Sequence, residues 1–167
     1  SKPWTWPMGL RPMLYYYADG DTVAGCSAPG SCVKAVMLIG TPALWWLAVP
    51  MLAWALWSTV ARRDWRYAAV LVGYGAGILP WFLSLDRQMY FFYATALSPF
   101  LVMGLTLVIG DVIGRARTGR RRTLGLALAA GYVAVAIANF VWLWPVLTGL
   151  PITETLWQQQ LWLPSWR

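Results

Sequence analysis

The sequence predicts an all-α polytopic membrane protein: four transmembrane helices, an external β-hairpin-like segment before them and an interfacial tail after them. Three observations carry this. Of 167 residues, 59% are hydrophobic and only 11% charged, with a mean hydropathy of +0.54, whereas soluble domains are about a quarter charged. Residues 35–61, 67–85, 88–110 and 123–153 contain no Asp, Glu, Lys or Arg, and a helix needs about 20 apolar residues to cross the hydrocarbon. Thirteen Trp and eight Tyr suit a chain that meets the membrane–water boundary repeatedly.

Residues 1–36 form the external segment. The chain opens SKPWTWP, without Met and without the basic flank, apolar run and cleavage site of a signal peptide. The expectation is a piece excised or cleaved from a longer chain. MLYYY at 13–17 is a strand-like aromatic run, and CVKAVMLIG at 32–40 is a second β-prone run. Between them lies ADGDTVAGCSAPGS, which is turn material, so the two runs predict an extended hairpin. Cys26 and Cys32, the only cysteines, flank SAPGS. On an external face a disulfide closes this short loop; the alternative is two unpaired small residues. The spacing is wrong for a redox CxxC motif, and two thiols with no histidine make a poor metal site.

Residues 37–146 hold the four spans, expected near 38–60, 67–85, 90–113 and 124–146. Pro42, Pro50, Pro80 and Pro99 fall inside or near the ends of the first three, where neighbouring helices or water satisfy the carbonyls they free. The loop after the first span carries Arg62, Arg63 and Arg66. The loop after the third carries Arg115, Arg117, Arg120, Arg121 and Arg122. An excess of basic residues marks cytoplasmic loops, so both loops are expected inside and both termini outside, in a multi-pass plasma-membrane protein. The net charge of +7 is then explained by anchoring and anionic membrane lipid, and no nucleic acid partner is needed. GYGAG at 73–77 sets Gly73 and Gly77 on one face, a pattern for close helix packing. Asp111 is expected to pair with Arg115, one turn on. Asn139 is expected to hydrogen-bond another helix rather than a lipid headgroup.

Residues 147–167 form the tail, LTGLPITETLWQQQLWLPSWR. A short interfacial helix over 152–162, anchored by Trp157, Trp162 and Trp166, is preferred to a disordered end, because disordered tails are poor in Trp and Leu.

The gap between the second and third spans reads DRQMYFFYATALSPF. It places Asp86 and Arg87 at the outer ends of two uncharged spans, with Tyr90 and Tyr93 three residues apart. A guanidinium holds phosphate in a bidentate fork, and an anion offsets its cost at the membrane edge. The other reading is an interfacial arginine that snorkels and pairs with Asp86. Spacing alone leaves both open.

Taken in order, WTWPMGLRPMLYYY, CVKAVMLIGTPALWW, DRQMYFFYATALSPF and a closing LWLPSWR resemble the C-terminal four-span region of protein O-mannosyltransferases, with the actinobacterial, polyprenyl-phosphate-dependent branch looking closest. IGTPALWW at 39–46 matches the family's Gly-x-Pro-x-x-Trp-Trp motif, and the resemblance covers essentially the whole chain. It implies part of a GT-C-type glycosyltransferase that moves mannose from polyprenyl-phosphate-mannose to Ser or Thr of exported proteins. The implied partners are membrane lipid, that donor, the N-terminal part of the same enzyme and acceptor Ser/Thr segments. No cofactor or metal is implied. The family's general base is an acidic pair in an earlier external loop that this sequence does not contain, so no catalytic residue is expected here and the segment alone should be inactive. Its implied contribution is donor phosphate binding, by Arg87 with Tyr90 and Tyr93, oriented by Asp86, and secondarily by Arg11 of LRPM. The apolar groove for the lipid is expected along the second and third spans. The rival class is a non-catalytic four-helix scaffold or a transporter subunit. A transporter needs polar groups at the bilayer midplane or repeated broken helices, and the spans offer almost no ionisable residue and no internal repeat.

Overall fold

The computed structural model describes residues 1–20, 23, 32–114 and 118–166. An opening 3₁₀ turn, Pro3–Thr5, leads to strands β1 (Met13–Asp19) and β2 (Cys32–Leu38). Four helical stretches long and apolar enough to cross a membrane follow: Pro42–Ala61, Trp65–Leu83, Phe91–Ile113 and Arg120–Thr148. Within them lie α1 (Pro42–Trp45), α2 (Ala48–Ala61), α3 (Trp65–Ile78), α4 (Ser98–Ile113) and α5 (Arg120–Thr148). The chain closes with β3 (Ile152–Thr153), α6 (Glu154–Gln160) and a 3₁₀ turn at Pro164–Trp166. The four expected spans and the hairpin are therefore present.

The first three spans each carry an irregular turn at one end, and proline is the reason. Pro42 opens α1, where proline is tolerated, and the helix is interrupted at Trp46–Leu47, one turn before Pro50, and resumes as α2. Pro80 stands in the 3₁₀ turn Leu79–Leu83 that ends the second span, and Pro99 opens α4 after the 3₁₀ stretch Phe91–Leu97. Proline removes an N–H and clashes with the preceding turn, so it is tolerated at such ends and junctions. Pro145 lies inside α5, and Gly149 ends that helix in the left-handed conformation.

The spans pack through glycine, as GYGAG predicts. A Cβ on Gly73 would lie 2.0 Å from the Phe100 ring, and one on Gly77 would lie 2.8 Å from Leu97, so α3 and α4 touch where no side chain fits. The buried core here joins Met51 and Ala55 of α2, Val70 and Tyr74 of α3, and Leu101 and Leu105 of α4. Asn139 bonds another helix, as expected: its Oδ1 accepts the Ala43 N–H at 2.9 Å, and the Tyr132 hydroxyl donates to the Ala43 carbonyl at 3.0 Å. Two side chains of α5 thus satisfy the backbone of the short α1.

The pairing expected for Asp111 falls on a residue that is not described. Arg115 lies outside the described residues. The described partners of Asp111 are on other spans: Arg62 at 2.6 Å, Tyr67 at 2.9 Å and Trp54 at 3.2 Å. A carboxylate accepts several bonds at once, so one aspartate ties α2, α3 and α4 together at the basic end. Beside it, Asp64 caps α3 through the Arg66 N–H and pairs with the Arg66 side chain at 2.7 Å.

The tail is more than an interfacial helix. β3 extends the hairpin to an antiparallel sheet of order β1-β2-β3, with Cys32 opposite Thr153 and Val33 opposite Ile152. A second core joins Val33, Ala35 and Met37 of β2 to Leu143 and Val146 of α5 and to Trp157, Leu161 and Trp166 of the tail. Trp157 and Trp166, expected as membrane anchors, are 6% and 4% exposed and pack into the protein; Trp162 is 43% exposed. Protein side chains, not lipid, cover the first two, because the sheet offers them an apolar face. Buried Gln160 donates to the Trp142 carbonyl at 2.6 Å and locks α6 onto α5.

Candidate functional site

The ends of the spans opposite the basic loops carry the candidate residues. The opening segment is held against them by Trp6, which is fully buried. Its ring lies 5.5 Å from Trp81 and 6.3 Å from Tyr93, and its Nε1 donates to Ser1 Oγ at 3.1 Å. The Lys2 ammonium donates to the Leu85 carbonyl. From the other side, Ser165 Oγ donates to the Leu10 carbonyl at 2.6 Å and Trp166 Nε1 to the Gly9 carbonyl at 3.2 Å. Gly9 has φ +59°, a turn that glycine makes without strain. Both ends of the chain therefore converge on the stretch that presents Arg11.

Arg11 and Tyr90 line one pocket of about 540 Å³, together with Pro12, Met13, Leu14, Phe91, Ser1 and Ser165. Arg11 is exposed. Tyr90 is 37% exposed, and its ring stacks on Phe92 with centroids 5.9 Å apart. A guanidinium, a phenol and a hydroxyl beside an apolar wall suit an anionic head on an apolar tail.

The other expected members stand elsewhere. Tyr90 is extended and precedes the 3₁₀ stretch Phe91–Leu97, so Tyr90 and Tyr93 do not share a helix face. Tyr93 packs on Trp81 at 4.3 Å and on Phe92 at 4.2 Å and does not line the pocket. Asp86, Arg87 and Gln88 are exposed in the turn between the spans. The described residues contain the ion pairs Arg62–Asp111 and Arg66–Asp64 but none between Asp86 and Arg87. Water competes for both charges on this exposed turn, so a direct pairing between these neighbours is worth little. The resemblance implies Arg87 first and Arg11 second, whereas the pocket is lined by Arg11 and Tyr90. The signal for Arg11, which stands 79 residues before Tyr90 in the chain, was its LRPM motif.

Three apolar clefts flank Tyr132 of α5. They are lined by α1 and its junction with α2, by α4 and by α5, with volumes of about 390, 260 and 330 Å³. None of the three is lined by α3; they lie between the first, third and fourth spans rather than along the second and third. Among the described residues, no three His, Cys, Asp or Glu side chains converge as a metal site would require. Cys32 is buried at the start of β2, while Cys26 lies outside the described residues. Near the sheet, the Tyr17 phenol is pushed above its usual range by loss of solvation and then by Asp19 and Glu154.

Comparison with known proteins agrees with this architecture. The family described as the C-terminal four TMM region of protein-O-mannosyltransferase matches residues 1–166. The chain is 62% identical to a polyprenol-phosphate-mannose–protein mannosyltransferase of Mycolicibacterium smegmatis and 63% identical to one of Mycobacterium tuberculosis. Each match covers all of this chain and 32% of the relative, so the chain spans about a third of the length of these relatives. A solved Saccharomyces cerevisiae protein O-mannosyltransferase complex, Pmt1–Pmt2 bound to the sugar donor, has the same fold. Its TM-score is 0.76 at 20% identity, over 100% of this chain and 23% of that one. The chain therefore belongs to the protein O-mannosyltransferase family, as its C-terminal four-transmembrane region.

Proposed function

We propose that this region is the donor-side part of a GT-C-type protein O-mannosyltransferase that takes mannose from polyprenyl-phosphate-mannose. The observation that carries this reading is the single pocket shared by Arg11 and Tyr90 at the outer ends of the spans. In the proposed reaction, a Ser or Thr hydroxyl oxygen attacks the anomeric carbon of mannose. The bond from that carbon to the phosphate oxygen breaks, and polyprenyl phosphate leaves with the electron pair. The hydroxyl proton passes to a carboxylate in the rest of the enzyme. Charge grows on the phosphate as the bond breaks, so a cation there stabilises the transition state more than the ground state. Arg11 is the first candidate for that cation, and Tyr90 is the hydrogen-bond donor beside it. Arg87, on the exposed turn three residues before Tyr90, is the second cation. Tyr93 acts at one remove, by packing against Trp6. The isoprenoid chain runs in the clefts beside Tyr132.

The same reading sets the orientation. The basic loops face the cytoplasm, and the sheet, the Arg11 pocket and both ends of the region face outward in the plasma membrane. There a Cys26–Cys32 disulfide closes the hairpin, and the remainder of the enzyme and the acceptor protein meet this face.

The test is mannosyl transfer by the full-length enzyme. Arg11→Ala is expected to lower kcat by about a hundredfold, the scale of losing one charge-stabilising group. Arg11→Lys should recover only part of this, since it keeps the charge but loses the fork. Arg87→Ala should cost less than Arg11→Ala. Folding is checked by elution at the native size in detergent. If well-folded Arg11→Ala and Arg87→Ala enzymes both transfer at near the normal rate, the region is an assembly scaffold.

A further inference from the structure

We propose that the outer edge of β1 is the docking strand for the acceptor polypeptide, which adds to the sheet in extended form beside the Arg11 pocket. The inference rests on the transferase reading above and names how its second substrate is held. In the sheet order β1-β2-β3, β1 is an edge. Its residues pair with β2 from Met13 opposite Leu38 to Asp19 opposite Val33. Among the described residues, Met13–Ala18 make no other backbone hydrogen bond, so their second row of N–H and C=O groups is open to a partner strand. Natural edge strands are protected by charge, proline, shortness or a cover. From Met13 through Ala18 there is no charge and no proline, and Leu14, Tyr15, Tyr16 and Tyr17 are 44% to 54% exposed. The ladder shifts register between Leu14 and Tyr16, a bulge of the kind that re-aims side chains beside functional sites.

Two features select the occupant. Backbone pairing reads the peptide chain and not its side chains, which suits a substrate that is a protein chain. The edge is also continuous with the pocket, because Met13 and Leu14 at its start line the same cavity as Arg11 and Tyr90. A peptide on this edge is thereby led to the place where the sugar would be released.

The experiment uses the wild-type full-length enzyme, polyprenyl-phosphate-mannose and a short synthetic Ser/Thr peptide. A series carries one backbone N-methyl group at successive positions. Methyl groups at alternate residues should raise KM by about tenfold, the scale of one hydrogen bond. Those between them should change it less than about threefold, and kcat should hold throughout. A series without this alternation overturns the proposal. Independently, a benzophenone side chain placed at Tyr16 should cross-link the peptide on irradiation, and excess unlabelled peptide should suppress it. A cross-link to another segment of the same enzyme, or to a second copy, overturns the proposal by showing a different occupant. The cross-link is read without turnover, so an enzyme inactive on every peptide counts against the transferase reading while the docking edge is still decided.

Discussion

Arg62 Nη1 donates to Asp111 Oδ2 at 2.6 Å, joining the end of the first span to the end of the third. The same carboxylate accepts the hydroxyl of Tyr67, a residue with no exposed surface. Bonding to Asp111 favours the charged form of Arg62 and raises its pKa. Asp111→Ala should destabilise the region by about 1–3 kcal/mol, the cost of leaving a buried donor without its acceptor. Asp111→Asn should cost less, because it still accepts from Tyr67. Thermal unfolding in detergent measures both, and equal melting of all three proteins would show that the cluster is not a clamp.

Gly73 and Phe100 offer a packing test. The 2.0 Å approach leaves no room for a methyl group, so Gly73→Ala should lower stability by about 1–3 kcal/mol, in the range of overpacked cores. Adding Phe100→Leu should return part of the loss. The measurement is a double-mutant cycle; additive losses would mean that α3 and α4 separate freely.

Asp64 has a distinct acid signature. The hydrogen bond from Arg66 pulls its pKa from the usual carboxylate range down to about 2. A depressed folded pKa contributes stability that is complete above the unfolded value near 4 and is lost as pH falls through about 2. The difference in melting temperature between wild type and Asp64→Asn should therefore be constant above about pH 4 and shrink toward zero near pH 2. A difference that is flat across this window would remove the Asp64–Arg66 bond from the account of stability.

Thiol chemistry checks the outward face. Cysteines introduced at Thr118 and Thr155, both exposed, should react oppositely with an impermeant reagent added to intact cells, with only Thr155→Cys labelled. Equal labelling would overturn the orientation. Mass analysis without reductant, on protein from its own host, should find Cys26 joined to Cys32; two free thiols would exclude the bond. Its removal should loosen the hairpin by about 2–4 kcal/mol at most.

The sequence by itself determined the spans, the hairpin strands and the use of Gly73 and Gly77 as a packing face. These follow from local quantities: runs without charge, β-prone aromatic strings and small residues one turn apart. It also carried the family, because the motifs sit in order along the whole chain. Only the tertiary structure decided which groups meet. Trp157 and Trp166 read as membrane anchors because tryptophan suits an interface, and the sheet that buries them is visible only once β3 pairs with β2. Asp111 read as a partner of its own helix, yet its described bonds run to α2 and α3. Asp86, Arg87, Tyr90 and Tyr93 read as one cluster because they are close in the chain. The extended backbone at Tyr90 separates it from Tyr93 and sets it beside Arg11. Hydrophobic burial is legible residue by residue, but a polar site is assembled across distant segments, and its geometry exists only when the chain has closed on itself.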